Sequence, residues 1–304
     1  MFFYLQQILD ETTQKGLFVL TGSNNCFLWE NITQTFSGRI AYLQLLPLSL
    51  EELKASKHLN YDYAWHILNG GYPEVIAESI SATNWYPNYI STCIERDVRQ
   101  LKNINNLGLF TKFIRMCAGR TGQILNTTSL ANDCGIDQKI VIAWLSILQS
   151  SYLIYLLKPY HNNFNKRIIK SPKLYFYDTG IACSLLGIKS IEQVNFHATK
   201  GALFENLIVS ELLKNKFNAG ESDNLYYWRD KTGNEVDVIT EEAEKLTAIE
   251  IKSGATISTD FFKGLNYFSA LNTQSIEKLL VYGGDQTQRR SNGIEVKPWR
   301  DIIG

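Results

Sequence analysis

The sequence predicts a mixed α/β protein made of successive parts, and three observations support this fold class. Residues 1–58 contain an amphipathic helix, a fully apolar run and a polar loop, an order typical of a parallel α/β sheet. Residues 107–180 carry two helices joined by a glycine-containing turn and followed by strand-like runs. Residues 181–304 place a long helix before a hairpin, a further helix and a strand. Residues 59–106 predict a helical linker between the first two of these parts.

Composition and charge limit the class of protein. The 304 residues are 45% hydrophobic and 20% charged, and 30 basic side chains balance 30 acidic ones, so the net charge indicates no partner. No apolar run is long enough to cross a bilayer, and the start lacks the basic region of a signal peptide. The 5 cysteines are scattered and form no CxxC pair, as in reduced cytosolic proteins. We expect a cytoplasmic protein with no membrane partner.

The N-terminal part, residues 1–58, begins with an amphipathic helix over residues 1–13. The apolar run Leu17–Leu20 predicts a buried strand, and Arg39–Leu46 predicts a second strand after a helical stretch at Cys26–Phe36. Fully apolar strands belong to sheets that are covered on both faces. We therefore expect these two strands to need neighbours that this short part does not supply.

Two segments of this part, FVLTGSNN and TFSGRIAYLQLLPLSLEEL, resemble the sensor region of a large prokaryotic family of AAA-type ATP-binding proteins. The resemblance implies that Asn25 occupies the sensor position near the γ-phosphate and that Arg39 is a candidate phosphate-reaching arginine. It also implies that the protein can form oligomers. The family's P-loop and Walker B acids do not occur in the 304 residues. A P-loop supplies most of the contacts that bind the phosphates of a nucleotide.

We therefore expect no ATPase activity from this chain and ATP binding only in a full-length form. Asn25 and Arg39 would then be vestigial nucleotide-sensing positions, or ordinary loop and surface residues. Two explanations stay open for the missing motifs: Met1 begins a truncated form, or the chain is the remnant of an ATPase.

The linker, residues 59–106, contains GGYPEVI and YISTCIERDVRQL, which resemble signature stretches in the C-terminal half of the same family. The charged residues of the second stretch, at positions 95–99, are expected to form intramolecular pairs. Residues 170–188, KSPKLYFYDTGIACSLLGI, resemble a further signature, in which Asp178 is expected to cap a helix.

Residues 107–180 predict a winged helix-turn-helix. A helix at Phe110–Gly119 precedes a helix near residues 129–134, a turn at Gly135 and a recognition helix at Gln138–Leu148. The strands of the wing are predicted at Tyr152–Leu157, Lys166–Lys170 and Leu174–Tyr177.

The stretch from Gln138 to Tyr177 contains no Asp or Glu. Its basic side chains, interleaved with aromatic ones, indicate a surface that contacts nucleic-acid phosphates. The predicted contacts are Lys139, Lys166, Arg167, Lys170 and Lys173. A protein–protein role for the winged helix stays open, because the recognition helix itself offers only Gln138 and Lys139.

Residues 234–254, NEVDVITEEAEKLTAIEIKSG, predict two strands joined by an acidic turn. Side chains alternate along a strand, so Glu235 and Asp237 should share one face while Val236 and Val238 take the other. The same period places Asp237 within reach of Glu250 and Lys252 across the hairpin. Carboxylates can hold a divalent cation and a lysine can position or deprotonate a water, although a solvated hairpin face would show the same pattern.

The helix predicted at residues 198–216 carries Glu205 at the edge of its apolar stripe, where an acid is either paired or functional. The elements predicted after it are a strand at Asn224–Arg229, the hairpin, a helix at Asp260–Leu271 and a strand at Leu279–Tyr282. This order, together with the spacing D-x12-E-x-K, resembles the core of the PD-(D/E)XK, restriction-endonuclease-like nucleases.

The nuclease resemblance assigns catalytic roles to four residues. Asp237 and Glu250 would bind Mg²⁺, Lys252 would orient the attacking water, and Glu205 would be the additional acid of the first helix. The predicted function is Mg²⁺-dependent binding of nucleic acid, with hydrolysis left open because many members of this clan bind without cleaving. The rival hypothesis is an ATPase-associated regulatory or protein-interaction module in which the nuclease fold is an inactive scaffold.

Overall fold

The structure is a computed structural model that describes residues 2–12, 14–22, 38–93, 106–160, 170–242 and 245–302. These residues form a mixed α/β protein with a mostly helical N-terminal half and a mixed sheet of eight strands in the C-terminal half. No helix among the described residues is long and apolar enough to cross a membrane.

The helices of the N-terminal half begin and end where local sequence signals place them. Their bounds are α1 (Phe2–Glu11), α2 (Leu50–Ala55), α3 (Tyr63–Asn69), α4 (Pro73–Ile76), α5 (Ala82–Cys93), α6 (Leu107–Ala118), α7 (Thr127–Cys134) and α8 (Gln138–Ser150). A capping box between Ser49 and Glu52 starts α2. Gly135, in the left-handed conformation with φ of 72°, ends α7 and allows the tight turn into α8.

The C-terminal half contains the sheet and the helices that pack on it. The strands are β1 (Ile154–Pro159), β2 (Lys173–Phe176), β3 (Leu225–Arg229), β4 (Glu235–Glu242), β5 (Lys245–Lys252), β6 (Ile276–Tyr282), β7 (Gln288–Arg289) and β8 (Ile294–Pro298). The helices are α9 (Thr179–Leu186), α10 (Ile191–Phe196), α11 (Lys200–Asn218) and α12 (Lys263–Leu271), with short 3₁₀ segments at Thr259–Phe262 and Trp299–Asp301. As expected, Asp178 caps α9, because its carboxylate accepts hydrogen bonds from two backbone N–H groups of that helix.

The strand order in the sheet is β2-β1-β3-β4-β5-β6-β8-β7. Strands β3, β4 and β5 form an antiparallel meander, whereas β5, β6 and β8 run parallel, with α12 in the connection from β5 to β6. Strand β1 pairs with β2 and also with β3. The sheet therefore crosses the predicted boundary between residues 180 and 181.

Two buried apolar clusters flank the sheet and set its orientation between the helices. One joins α11 to Val238, Ile249 and Ile251. The other joins α12 to Val236 and Ile239, together with neighbouring residues of β5 and β6. Packing on both faces explains why consecutive residues are buried in the middle of each strand, at 236–239 of β4 and 248–251 of β5.

The predicted alternation along β4 is wrong at one point, because Val236 and Val238 pack into different clusters. In the register of β3 and β4, Tyr226 lies opposite Ile239 and Trp228 opposite Val236. Between these two pairs, β3 has one residue, Tyr227, whereas β4 has two, Asp237 and Val238. This is a β-bulge, which turns the strand and re-aims the side chains beside it.

The two strands predicted in the N-terminal part are also wrong. Neither Leu17–Leu20 nor Arg39–Leu46 forms a strand, and Val19 is 88% exposed and Leu45 85% exposed. Backbone hydrogen-bonding groups of a strand need partner strands, and the described residues of the N-terminal part provide none. The predicted helix at Cys26–Phe36 and the charged residues at positions 95–99 lie outside the described residues.

Candidate functional site

Six charged side chains meet at one end of the sheet, where β2 and β4 begin and β5 ends. We call them the acidic cluster: the carboxylates Glu205, Glu235, Asp237 and Glu250 and the ammonium groups Lys173 and Lys252. Helix α11 supplies the first carboxylate and the strands supply the other five groups. All four residues to which the sequence assigned catalytic roles therefore lie in one place.

Asp237 is the central carboxylate of the acidic cluster. It lies in the bulge of β4, is almost fully buried, and accepts a hydrogen bond of 2.8 Å from the backbone N–H of Ile251. Val238 lies opposite Ile249 in β5, and continuing this register by one residue places Asp237 opposite Glu250. The Nζ atom of Lys252 lies 3.5 Å from Asp237 Oδ2 and 2.5 Å from Glu250 Oε1.

Glu250 has one carboxylate oxygen that is satisfied and one that is not. Its Oε1 atom accepts a hydrogen bond from Lys252, whereas its buried Oε2 atom has no hydrogen-bond partner. Burial, and then the nearby charge of Asp237, raise the pKa of Glu250 to about 8, although Lys252 opposes this shift. A buried oxygen without a partner costs free energy, so a cation or donor at this position would be favourable.

Lys252 remains protonated in the acidic cluster. Burial disfavours its charge, but Asp237 and Glu250 outweigh burial and raise the pKa of the ammonium group. A lysine in this state donates hydrogen bonds and is a poor base. Of the two roles that the sequence left open, this favours positioning a water over deprotonating it.

Glu205 is paired on the sheet side of α11. Its Oε1 atom accepts hydrogen bonds from Tyr175 Oη at 2.5 Å and from Lys173 Nζ at 2.9 Å. Burial raises the pKa of Glu205 despite the opposing charge of Lys173, and Asp237 adds to the increase. The sequence left open whether an acid in this position is paired or functional, and the structure shows Glu205 paired.

Lys173 is the residue whose position differs most from the prediction. We expected it on a phosphate-contacting surface, but its side chain is 3% exposed and its ammonium group pairs with Glu205 and Glu235. It also lies 3.7 Å from Asp237 Oδ1. Burial lowers the pKa of Lys173, but Tyr175 and the surrounding carboxylates more than compensate and raise it well above its usual value. A buried ammonium group is tolerated only with such partners.

Sequence reasoning missed Tyr175 and Glu235 as members of this site. Lys173 and Tyr175 are two residues apart in β2, so they lie on the same face of the strand, and both contact Glu205. Glu235 also pairs with Arg229 Nη1 at 3.0 Å. The alternation in KLYF could have indicated a shared face, but not which helix that face meets.

The other predicted site residues lie apart from the acidic cluster. Lys139 on α8 and Lys170 are exposed, whereas Lys166, Arg167 and Asn25 lie outside the described residues. Lys170 lines an open pocket of about 360 Å³. Arg39 is on the surface and forms an ion pair with Asp10. The structure therefore gives Arg39 a partner within the chain.

The carboxylates of the acidic cluster limit which metal ion could bind there. Among the described residues, no group of three or more His, Cys, Asp or Glu side chains is arranged to hold a metal ion. Mg²⁺ needs only one or two protein carboxylates, because it keeps several of its waters. Asp237 and Glu250 meet that requirement, and the unpartnered Oε2 atom of Glu250 fits it.

Three protein-family models match successive parts of the chain. A model described as an AAA domain matches residues 1–54. Two models described as domains of unknown function match residues 60–192 (DUF8612) and residues 200–302 (DUF4143). The first match supports the AAA-type resemblance of the N-terminal part.

Curated relatives align with almost the whole chain but have no described function. An uncharacterized protein of Mycobacterium tuberculosis is 26% identical over 306 residues, covering 100% of this chain and 66% of the relative. An uncharacterized protein of Haemophilus influenzae is 20% identical over 293 residues, covering 91% of this chain and 68% of the relative. The chain thus spans about two thirds of the length of these relatives. No solved structure matches the chain.

Proposed function

We propose that this protein binds nucleic acid through a divalent cation held in the acidic cluster and hydrolyses a phosphodiester bond there. The observation that carries the proposal is the meeting of Asp237, Glu250 and Lys252, with the Lys252 ammonium group 2.5 Å from one carboxylate and 3.5 Å from the other. The Oε2 atom of Glu250 is already desolvated and has no hydrogen-bond partner, so a cation that binds it displaces none. In this proposal, residues 181–304 form a PD-(D/E)XK-like domain.

Each residue of the site has a distinct part in the proposed reaction. Asp237 and Glu250 would hold Mg²⁺, which when bound offsets phosphate charge and lowers the pKa of a bound water. Lys252 stays protonated, so it orients the attacking water by donating a hydrogen bond and attracts the phosphate. Ile251 fixes Asp237 through its backbone N–H, so the carboxylate is oriented before substrate arrives.

Nucleic acid is the proposed substrate because of the basic stretch and the helices before the sheet. Helices α6, α7 and α8 with the turn at Gly135 have the order of a winged helix, and Lys139 and Lys170 are exposed. If these lysines contact phosphates, binding should weaken steeply with salt. ATP binding and assembly into oligomers are proposed for a longer form, on the basis of the AAA match.

A second candidate function is supported by the exposed face of α8. Ile140 and Ile142 of α8 are 40% and 55% exposed, although a recognition helix for DNA would carry polar groups at its exposed positions. Apolar residues on an exposed helix face favour a protein partner. The winged helix would then be an interaction module of an ATPase-associated regulator, as the sequence also allowed.

The test of the proposed function is duplex cleavage in Mg²⁺ by the wild-type protein, Asp237→Asn and Lys252→Met. We expect cleavage by the wild type and a loss of at least about 100-fold in each variant, the scale expected for removing a transition-state contact. Lys245→Met is the matched control, because Lys245 lies at the other end of β5 in an exposed pair with Glu277. Equal activity in all four proteins would reject the enzymatic proposal.

A further inference from the structure

The ammonium group of Lys173 occupies a position that three carboxylates surround. It pairs with Glu235, lies 2.9 Å from Glu205 Oε1, and lies 3.7 Å from Asp237 Oδ1. We propose that Lys173 is an internal cation of the acidic cluster, and that it limits the site to one divalent cation by filling the position of a second. Lys173 would thus determine how many cations the site accepts. This inference rests on the proposed function only in that the first divalent cation belongs to that function.

The charges around Lys173 require a cation. Glu205 has Lys173 as its cationic partner and Tyr175 as a neutral hydrogen-bond donor. Asp237 and Glu205 are both largely buried, with side chains 8% and 15% exposed, so water does little to screen them. If the ammonium group were removed, two carboxylates would face each other in a low-dielectric region. Such a pair must bind a cation, take up a proton or move apart.

The position of Lys173 in the fold keeps its ammonium group there. Lys173 begins β2, where it lies opposite Leu157 of β1, and its side chain runs over the ring of Tyr227 at 5.6 Å from the centroid. Because the side chain is 3% exposed and its ammonium group lies beside all three carboxylates, a metal ion cannot enter the position between them while the lysine is in place. A tethered cation does not dissociate, so this side of the acidic cluster stays neutralised at any metal concentration.

The first cation would lie on the other side of Asp237. Asp237 Oδ1 faces Lys173, whereas Asp237 Oδ2 faces Lys252 and the side of Glu250. Glu250 belongs to that second side, because its Oε1 atom contacts Lys252, and its Oε2 atom has no hydrogen-bond partner. In this proposal, Lys173 occupies one side of Asp237 and the divalent cation would bind on the other side, next to Lys252.

The experiment counts Mn²⁺ ions by calorimetric titration of the wild type, Lys173→Met and Lys173→Arg. We expect one Mn²⁺ in the wild type, two in Lys173→Met and one in Lys173→Arg, because arginine keeps the charge. Lys214→Met is the matched control, since Lys214 is another buried lysine and pairs with Glu211 at 2.7 Å away from the acidic cluster. This control should bind as the wild type does. A folded Lys173→Met with the wild-type number of ions would overturn the proposal.

A second measurement tests the proposal through protein stability, in case Lys173→Met is partly unfolded. Thermal unfolding is followed with and without Mn²⁺, since a ligand of the native state raises Tm by mass action. The proposal predicts a larger Mn²⁺-induced rise of Tm in Lys173→Met than in the wild type. It also predicts that the double variant Lys173→Met/Glu205→Gln loses this extra rise, because it lacks one of the three carboxylates. Equal rises in the wild type and Lys173→Met would reject the internal-cation role.

The two proposals fail in different ways in these experiments. A wild type that binds no Mn²⁺ removes the support for the proposed function. In that case, a gain of Mn²⁺ binding in Lys173→Met still supports the role of Lys173, and no gain rejects it.

Discussion

At the scale of single residues, Glu250 couples the protonation of the acidic cluster to its stability. Burial and Asp237 raise its pKa from 4.5 to about 8 in the folded protein. The folded state therefore holds more protons than the unfolded state between these two pH values, and the free energy of unfolding falls as pH rises across that window. The stabilising contribution is complete below pH 4.5 and is lost by about pH 8.

Glu250→Gln tests this coupling because the amide cannot ionise. In EDTA, we expect the free energy of unfolding of the wild type to fall between pH 5 and pH 7 by on the order of 2 kcal/mol more than that of the variant. Denaturant titrations at several pH values measure the difference. Parallel pH profiles for the two proteins would contradict the raised pKa of Glu250.

At the scale of elements, the close approach of α12 to β4 holds the acidic cluster together. A Cβ atom at Gly264 of α12 would overlap the carbonyl oxygen of Glu235 and would lie 3.3 Å from Glu250 Oε2. Only glycine lets the helix lie this close to the beginning of β4. The position of Glu250 therefore depends on a residue that has no polar side chain of its own.

Gly264→Ala should destabilise the protein by about 1–3 kcal/mol, because the helix must move away from the strand. Gly201→Ala is the matched control: it adds the same methyl group to α11, where nothing lies within 4 Å of the new Cβ. The control should be neutral or stabilising by up to about 1 kcal/mol, since alanine favours the helix. Similar free energies of unfolding for the two variants would contradict the close approach.

The helices and strands of the structure differ in how well the sequence predicts them. Helix α11 and strands β3 to β6 lie within a few residues of their predicted ranges, because the apolar periods of 3.6 and 2 are local properties. The strands at Leu17–Leu20 and Arg39–Leu46 were wrong, because an apolar run becomes a strand only if partner strands are present. The bulge at Asp237 and Val238 could not be predicted either, since it depends on the register with β3.

Some residues of the acidic cluster could likewise be predicted from the sequence, and others could not. Asp237, Glu250 and Lys252 are brought together by one hairpin, so their short separation along the sequence was enough to group them, although the alternation fails at the bulge. Lys173 lies 64 residues before Asp237 in the sequence, and it joins them through the pairing of β2 with β1 and of β1 with β3. A basic residue in an acid-free stretch is typical of a surface, and only the sheet order places this one inside.

At the scale of the whole molecule, a second buried charged network joins the helical half to the sheet half. Glu211 of α11 accepts a hydrogen bond of 2.7 Å from the backbone N–H of Leu50, the first residue of α2. Lys214 donates to Leu48 O at 2.9 Å and to Glu211 Oε1 at 2.7 Å. Because α11 also carries Glu205, the segment that matches the AAA model is tied to the helix that supports the acidic cluster.

Glu211→Gln should weaken this connection between the halves. The substitution keeps the shape of the side chain but leaves the buried ammonium group of Lys214 without its carboxylate partner, a change that costs about 3 kcal/mol or more in buried pairs. Glu221→Gln is the control, because Glu221 is half exposed in its pair with Lys216 and should change the free energy of unfolding by less than about 1 kcal/mol.

Denaturant unfolding measures both variants, and hydrogen exchange locates the effect. We expect the amide of Leu50 and its neighbours in α2 to exchange faster in Glu211→Gln, because the bond from Leu50 to the carboxylate weakens. If Glu211→Gln loses no more stability than Glu221→Gln, and α2 exchanges as in the wild type, then the network does not connect the two halves. A selective loss of protection in α2 would instead show that the N-terminal segment can detach from α11 while the sheet, and the acidic cluster with it, stays folded.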